Sequence, residues 1–204
     1  FKWFLGDIVY KIAKKENIPC NVKQIIIKDT DEKYKKEYLL FNGKVNIAKM
    51  ITNICSYEPR TLEIVNQIKS VLKDNTQNSR KILVLSDRKQ HLICIGSYFE
   101  KERYGFYMGG MKELELEKSK LKQIILGTFN MISEGFDLPS LDTLVLASPK
   151  SDVEQSVGRI QRKHVITEND NMPLVIDIID NFSLFEKQAS KRMTFYKKMK
   201  YELD

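Results

Sequence analysis

Short apolar runs, each followed by a polar turn and a helical pattern, recur through residues 80–182 and constrain the fold more than any other feature. The first run, Ile82–Leu85, is bounded by charged and polar residues on both sides. Such short, wholly apolar runs are typical of parallel strands buried on both faces. Four more runs follow, at residues 106–108, 124–126, 143–147 and 174–179. This alternation predicts an α/β fold, a parallel sheet with helices on both faces.

The segments between these runs predict the covering helices. Asp87 is expected to cap a helix with apolar positions at Leu92, Ile95 and Phe99, and Ser183 to cap a final helix reaching about Tyr201. Residues 153–161 are expected to be helical, and 112–120 a charged helix or loop. The first 79 residues are less regular, and their pattern predicts a short helix over 5–12, a strand over 22–27, helices over 45–54 and 62–72, and a polar loop over 73–80.

Composition leaves the binding partner open. Lys and Arg number 34 against 27 Asp and Glu, a net charge of +7, which suits a polyanion but is equally common among unrelated soluble domains. The three cysteines form no Cys-x-x-Cys pair, and the two histidines have no ligand-spaced partner. Neither a zinc site nor a disulfide framework is therefore expected, and a reducing, intracellular compartment fits best. Without a signal peptide or a long apolar run, we expect a soluble chain with no membrane partner.

Residues 127–139 follow the third predicted strand, at the edge of the sheet where ligands bind. The hydroxyl of Thr128 and nearby backbone amides suit contact with a phosphate. Gly135 allows a close backbone approach, and the carboxylate of Asp137 can accept hydrogen bonds from a ribose. A plain strand-to-helix loop with a glycine turn explains the same residues.

Residues 155–162 read Gln-Ser-Val-Gly-Arg-Ile-Gln-Arg. Arg159 and Arg162 are three positions apart, which predicts that both lie on one helix face. Two guanidinium groups there would form a clamp for a phosphate. The alternative is a solvated basic helix.

Together the two segments are more specific. Gly-Thr-x(5)-Glu-Gly-x-Asp-x-Pro, then a strand, then Gln-x-x-Gly-Arg-x-x-Arg, resembles motifs V and VI of superfamily 2 helicases in order and spacing. The apolar run ending at Ser86, with Asp87 and Arg88 after it, resembles motif IV, and Gly109–Gly110 resembles the turn that follows. Residues 1–10 resemble the XPB/UvsW-like branch, above all helicases of large cytoplasmic DNA viruses.

The resemblance implies a RecA-like parallel sheet and a division of the chain. Residues 1–79 would be a linker with the N-terminal part of a second RecA-like domain, 80–182 its core, and 183–204 a C-terminal basic helix. It also implies roles for nine residues. Those at nucleic acid would be Ser86, Arg88, Gly109 and Thr128; those at the nucleotide Gly135, Asp137 and Gln155; and those acting as arginine fingers Arg159 and Arg162. Ser156 departs from the pattern, since many relatives carry Arg there.

No Gly-x(4)-Gly-Lys-[Ser/Thr] phosphate cradle occurs in the chain. Asp31-Glu32 is expected to be a charged loop, because three residues separate it from the preceding strand. ATP and Mg²⁺ are therefore expected to be held largely by an N-terminal RecA-like domain of the same protein, upstream of Phe1, and this part alone is expected to be inactive.

The expected partners are that domain and single-stranded or duplex nucleic acid, DNA rather than RNA. The expected compartment is host cytoplasm or virion for a viral protein, otherwise cytoplasm or nucleus. The basic, aromatic final helix would track a nucleic-acid backbone or simply dock on the core. The rival from another class is a non-catalytic RecA-like platform in transcription or repair. A nucleotide-binding enzyme of another family is disfavoured, because no Gly-x-Gly-x-x-Gly is present.

Overall fold

The computed structural model describes residues 18–73, 79–133, 136–162 and 171–204 of the 204-residue chain. Within these ranges seven strands form one parallel sheet in the order β3-β4-β2-β5-β6-β1-β7. The strands are β1 (Asn21–Ile27), β2 (Ile82–Leu85), β3 (Tyr104–Tyr107), β4 (Ile124–Gly127), β5 (Thr143–Leu146), β6 (Leu174–Asp180) and β7 (Glu202–Leu203). The parallel α/β sheet expected from the sequence is confirmed.

Burial follows the position of each strand in the sheet. Every residue of β2, β4 and β5 is buried, because these strands have neighbours on both sides and helices on both faces. In β1, by contrast, only Val22 is buried and Ile26 is 49% exposed. The sheet is therefore thoroughly covered at its centre and open along its β1 side.

One face of the sheet, which we call the α3 face, is covered by helices from the first half of the chain. They are α1 (Glu32–Lys35), α2 (Ile47–Cys55), α3 (Glu58–Lys73) and α4 (Lys89–Gly96). Helix α3 turns Ile64, Val65 and Ile68 toward the strands, at the i, i+1, i+4 spacing of an amphipathic helix. Pro59 lies in its first turn, where a missing backbone N–H breaks no helical hydrogen bond.

The opposite face, which we call the α8 face, is covered by α5 (Glu113–Lys120), α6 (Phe129–Ser133), α7 (Glu154–Ile160) and α8 (Leu184–Lys198). Phe129, Val157 and Tyr196 pack there against buried strand residues. The segment expected to be a charged helix or loop is helix α5, and the final helix docks by its aromatic side. None of the described helices has the length and apolar character needed to cross a bilayer.

Four local expectations are wrong. Asp31-Glu32 is not a loop, because Asp31 caps helix α1 by accepting from the Lys33 N–H at 2.8 Å. Arg88, not Asp87, is the N-cap of α4, and no side chain caps that helix; Asp87 instead pairs with Lys150. Ser183 occupies the N-cap position of α8, but its φ of 51° leaves its side chain without a capping bond. Helix α8 ends at Lys198, and Lys200, with a φ of 56°, turns the chain into β7. The helix expected over residues 5–12 lies outside the described residues.

Candidate functional site

A crevice lies at the carboxyl edge of the sheet, beside the end of β2. The loop after β2 leads to the α3 face, whereas the loops after its neighbours β4 and β5 lead to the α8 face. Diverging loops of this kind form the usual ligand site of a parallel sheet. The loops after β2 and β5 are tied together, because the Asp87 N–H donates to Ser148 Oγ at 2.9 Å and Lys150 Nζ lies 3.5 Å from Asp87 Oδ1.

A cavity of about 200 Å³ opens between α6, α7 and the loop after β5. Gln155, in the first turn of α7, is exposed and lines it, and so does Ser156, which stands where many helicases carry Arg. The remaining lining residues are Phe129, Asn130, Ile132, Ser133, Lys150, Asp152 and Arg159. Two cations and several amide and hydroxyl donors therefore face one small space.

Arg159 reaches from α7 across the cavity to the segment that follows β4. Its Nη1 donates to the carbonyl of Phe136 at 2.5 Å, and its Nη2 to the carbonyl of Ser133 at 3.2 Å. Partial burial, followed by the charge of Arg162, lowers the pKa of Arg159 below its usual value.

Arg162 does not lie on the same helix face as Arg159, and that expectation is wrong. Helix α7 ends at Ile160, and Gln161 leaves the helical conformation with φ −110° and ψ 29°. The side chain of Gln161 holds this exit, since its Nε2 donates to the carbonyl of Ile18 at 2.8 Å and its Oε1 accepts from Tyr201 Oη at 2.9 Å. Arg162 nevertheless forms an ion pair with Asp137, so both arginines contact the segment after β4, at Ser133, Phe136 and Asp137.

Asp137 is exposed, and its carboxylate pairs with Arg162. Gly135, expected at the nucleotide, lies outside the described residues.

Of the residues expected at nucleic acid, Ser86 is placed differently from the others. It is fully buried, with Oγ 3.1 Å from His91 Nδ1 and 3.2 Å from the Arg88 backbone N, which donates to it. Burial lowers the pKa of His91 to about 3, so the imidazole is neutral at pH 7. The Ser86 hydroxyl therefore shapes the loop after β2 rather than reaching its surface.

Arg88, Gly109 and Thr128 lie at the ends of three neighbouring strands. Arg88 is half-buried, and its Nε and Nη2 donate to Thr52 Oγ1 at 2.8 Å and to the carbonyl of Ala48 at 2.7 Å, both in α2. Thr128 is also half-buried, and its N–H donates to the carbonyl of Tyr107 at 3.3 Å, so this amide is already partnered. The carbonyl of Gly109 accepts from Lys89 Nζ.

Lys89 and Lys150 belong to this edge but gave no signal in the sequence. Lys89 is exposed at the start of α4, and Lys150 Nζ lies 5.1 Å above the Phe129 ring. Arg60 and Arg192 are both buried, and neither was predicted to be. Asp177 and Asp180 within the apolar run of β6 were the available clue, because a buried carboxylate requires a cation or hydrogen-bond donors beside it.

Comparisons with solved structures show the fold. The structure of T4 UvsW superposes with a TM-score of 0.66 at 19% sequence identity, and the match covers 91% of this chain and 41% of the UvsW chain. Yeast Dbp5, solved with RNA and ADP BeF3, matches 92% of this chain and 42% of its own with a TM-score of 0.57 at 9% identity. The fold is therefore RecA-like, as expected, and of the kind found in helicases.

Sequence relatives make the identification more specific. The mimivirus protein named "Putative ATP-dependent RNA helicase L396" is 36% identical over 211 residues, covering 98% of this chain and 39% of the relative. "Putative helicase 161L" of invertebrate iridescent virus 6 is 28% identical over 174 residues, covering 77% and 37%. The chain belongs to the helicase family and corresponds to the C-terminal domain of superfamily 2 helicases. It spans less than half the length of each of these viral relatives. No protein-family profile matches it.

Proposed function

We propose that this chain is the C-terminal motor domain of an ATP-dependent helicase or translocase and that Arg159 and Arg162 act as its arginine fingers. One observation carries the proposal: both guanidinium groups contact the segment after β4, at Ser133, Phe136 and Asp137, and Arg159 lines a cavity together with Lys150 and Gln155. Planar guanidinium groups and a nearby ammonium suit the oxygens of a polyphosphate.

The hydrogen-bond donors at the cavity suit the phosphates of ATP. When bound, ATP would supply the phosphoryl group that is transferred to water. Arg159, Arg162, Lys150 and Gln155 are the residues of this chain that would hold the phosphates. In the part of the chain that the structure describes, no group of three or more His, Cys, Asp or Glu side chains is arranged to bind a metal ion. The proposal therefore assigns the Mg²⁺ site and the phosphate cradle to an N-terminal RecA-like domain of the same protein.

Both arginines are engaged within this domain: Arg159 with two carbonyls and Arg162 with Asp137. A phosphate that replaced these acceptors would add the attraction of opposite charges, which the bonds of Arg159 to neutral carbonyls lack. The exchange requires the nucleotide to approach from outside the domain, as closure of a second domain over the cavity would bring it. Closure and opening would then couple hydrolysis to movement of the loops at the sheet edge.

The same edge is proposed to hold a nucleic-acid strand. Arg88, Lys89, Gly109 and Thr128 lie at the ends of three adjacent strands, and the chain carries a net charge of +7. Ser86 acts as a positioning residue, because its buried hydroxyl fixes the backbone of Arg88. A preference for DNA over RNA stays a prediction.

The test measures ATP hydrolysis by the intact protein with saturating single-stranded DNA or RNA. Arg162→Ala is expected to lower kcat roughly 10³-fold, as loss of an arginine finger does, with a much smaller change in nucleotide affinity. Arg162→Lys should rescue poorly, because an ammonium cannot reproduce the planar fork. The matched control is Arg103→Ala, an exposed arginine whose partner, Gln123, lies at the opposite end of β4.

A folded Arg162→Ala protein that keeps wild-type kcat would rule out the finger role. If the wild-type protein binds nucleic acid but hydrolyses no ATP, the non-catalytic platform is the better assignment. The isolated domain should turn over well below ~1 s⁻¹, the low end for ordinary enzymes, since it lacks the phosphate cradle.

A further inference from the structure

A tight hairpin at residues 39–45 precedes helix α2. Its strands meet in an antiparallel bridge between Leu39 and Val45, and the Leu40 N–H donates to the carbonyl of Lys44 at 2.7 Å. The Gly43 N–H donates to the carbonyl of Leu40 at 2.9 Å, and Gly43 has a φ of 76°, which favours glycine. These bonds fix the conformation of the turn.

Phe41 stands at the tip of this hairpin and is fully exposed, at 110% of its reference area. The central positions of such a turn accept most residue types, so the turn itself does not require a large aromatic ring at Phe41. Leu39, Leu40 and Ile47 are also exposed, by 46% or more, so the ring belongs to an apolar surface rather than standing alone. Exposed apolar side chains grouped on one short segment are found at binding sites.

The surroundings of the hairpin are basic. Residues 36–49 contain three lysines and one glutamate. Lys36 Nζ and Lys49 Nζ lie 5.4 Å and 4.5 Å from the centre of the Tyr38 ring, and Lys44 is at the turn itself. An aromatic ring presented among lysines is suited to single-stranded nucleic acid, whose bases stack on the ring while its phosphates meet the cations. A purely apolar partner would leave the lysines unexplained.

The hairpin is joined to the loop that the proposed function assigns to the nucleic-acid strand. Helix α2 begins at Ile47, two residues beyond the bridge, and its Ala48 and Thr52 accept hydrogen bonds from Arg88. A strand lying along Arg88 and Lys89 would therefore have the hairpin on the α2 side of its path.

We propose that Phe41 stacks on a base of the bound single strand and adds affinity that depends on the presence of bases but not on their sequence. This inference rests on the proposed function, because it takes the strand to lie along the loop after β2. It adds a base-contacting residue to a site whose other contacts are with the backbone.

The test uses the intact protein with two probes of equal length, an oligo-dT and an abasic strand with the same number of phosphates. Phe41→Ala should weaken oligo-dT binding roughly 5- to 150-fold, the range for loss of one stacked base, and leave binding of the abasic strand unchanged. The salt dependence should stay the same, because a phenyl ring neutralises no phosphate. Phe41→Trp should retain affinity, with its indole emission quenched on oligo-dT binding.

Leu114→Ala is the control, since Leu114 is 68% exposed on α5, away from the hairpin. The side chain of Phe41 is exposed, so Phe41→Ala should melt at the wild-type temperature. Equal weakening for both probes, or no weakening while wild-type binding is intact, would overturn the stacking role and leave the motor assignment standing. If the Phe41 variant instead loses a protein partner with unchanged oligo-dT affinity, the inference is also wrong. A wild-type protein that binds neither probe would overturn both proposals.

Discussion

Arg60 and Arg192 hold the backbone of one loop from opposite faces of the sheet. Arg60 Nη1 donates to the carbonyl of Ala147 at 2.8 Å, and Arg192 Nη1 to that of Lys150 at 2.7 Å. Arg60 also pairs with Asp180 at 2.6 Å, and Arg192 with Asp177 at 2.9 Å. Both aspartates belong to β6, where odd-numbered and even-numbered side chains face opposite sides of the sheet. The loop that carries Lys150 to the cavity is thus fixed against β6.

We predict that this arrangement is essential for stability. Arg60→Met should lower the free energy of unfolding by about 3–5 kcal/mol, because it leaves a buried carboxylate without its cation. Burial alone would lower the pKa of Arg60, but Asp180 reverses this and raises it, so the arginine is charged. Urea denaturation of the domain measures the effect, and adding Asp180→Leu should recover a large part of it. Arg103→Met, an exposed change, should cost under about 0.5 kcal/mol. A loss below about 1 kcal/mol for Arg60→Met would contradict the prediction.

A phosphate bound at Arg162, as we propose, would compete with Asp137 for the same guanidinium. Asp137→Asn removes the competing charge but keeps an oxygen acceptor. We expect the intact protein to bind a non-hydrolysable ATP analogue roughly 1.5- to 5-fold more tightly, the range for an exposed ion pair of about 0.2–1 kcal/mol. Calorimetric titration measures this. Asp152→Asn removes the same charge from the cavity lining, where Asp152 is not paired with Arg162. Equal gains in both variants would mean that general charge, not the pair, is responsible.

Acid should destabilise the domain through His91. Burial lowers its folded-state pKa from 6.5 to about 3, so the unfolded chain binds a proton that the folded domain excludes. The contribution of His91 to the free energy of unfolding is fully present above pH 6.5 and is lost as the pH drops toward 3. About 2 kcal/mol of it is lost between pH 7 and pH 5. Denaturation at both pH values, compared with His91→Gln, isolates this contribution, and His164→Gln controls for the other histidine. A His91→Gln domain with the same pH dependence as wild type would refute the assignment.

Binding of single-stranded nucleic acid should weaken steeply with salt. The log–log slope is expected to be about −0.7 for each phosphate neutralised. Lys89→Gln should make the slope shallower by about 0.7, because Lys89 is exposed at the end of β2, whereas Arg103→Gln should not change it. Affinities measured from 50 to 200 mM salt test this. An unchanged slope in Lys89→Gln would remove Lys89 from the interface.

The sheet was largely predictable because its central strands are apolar throughout. Ile82–Leu85 was predicted with its observed bounds, and β4, β5 and β6 within a residue or so at each end. Burial on both faces imposes that pattern locally. The two-residue β7 carries no such pattern, because it forms by pairing with β1, which is far away in the sequence.

The site was less predictable, because non-local contacts decide it. The exit of Arg162 from the helix depends on bonds of Gln161 to Ile18 and Tyr201, far away in sequence. The expected Asp87 cap is absent because helix α4 begins one residue later, with Arg88 at its N-cap, and Asp87 pairs with Lys150. The roles given to Arg159, Arg162 and Asp137 came from resemblance to helicases and stay predictions, although the structure brings these residues together.

The position of β1 between β6 and β7 bears on how the chain folds as it leaves the ribosome. Asn21 pairs with Leu174 and Glu202, so β1 emerges long before either of its neighbours exists. At roughly 5–20 residues per second, the wait lasts on the order of ten seconds or more. Until then its Ile26 and backbone edge are open to other chains. Slow or truncated synthesis should therefore expose β1 to aggregation, and molecular chaperones would have their greatest effect at this stage.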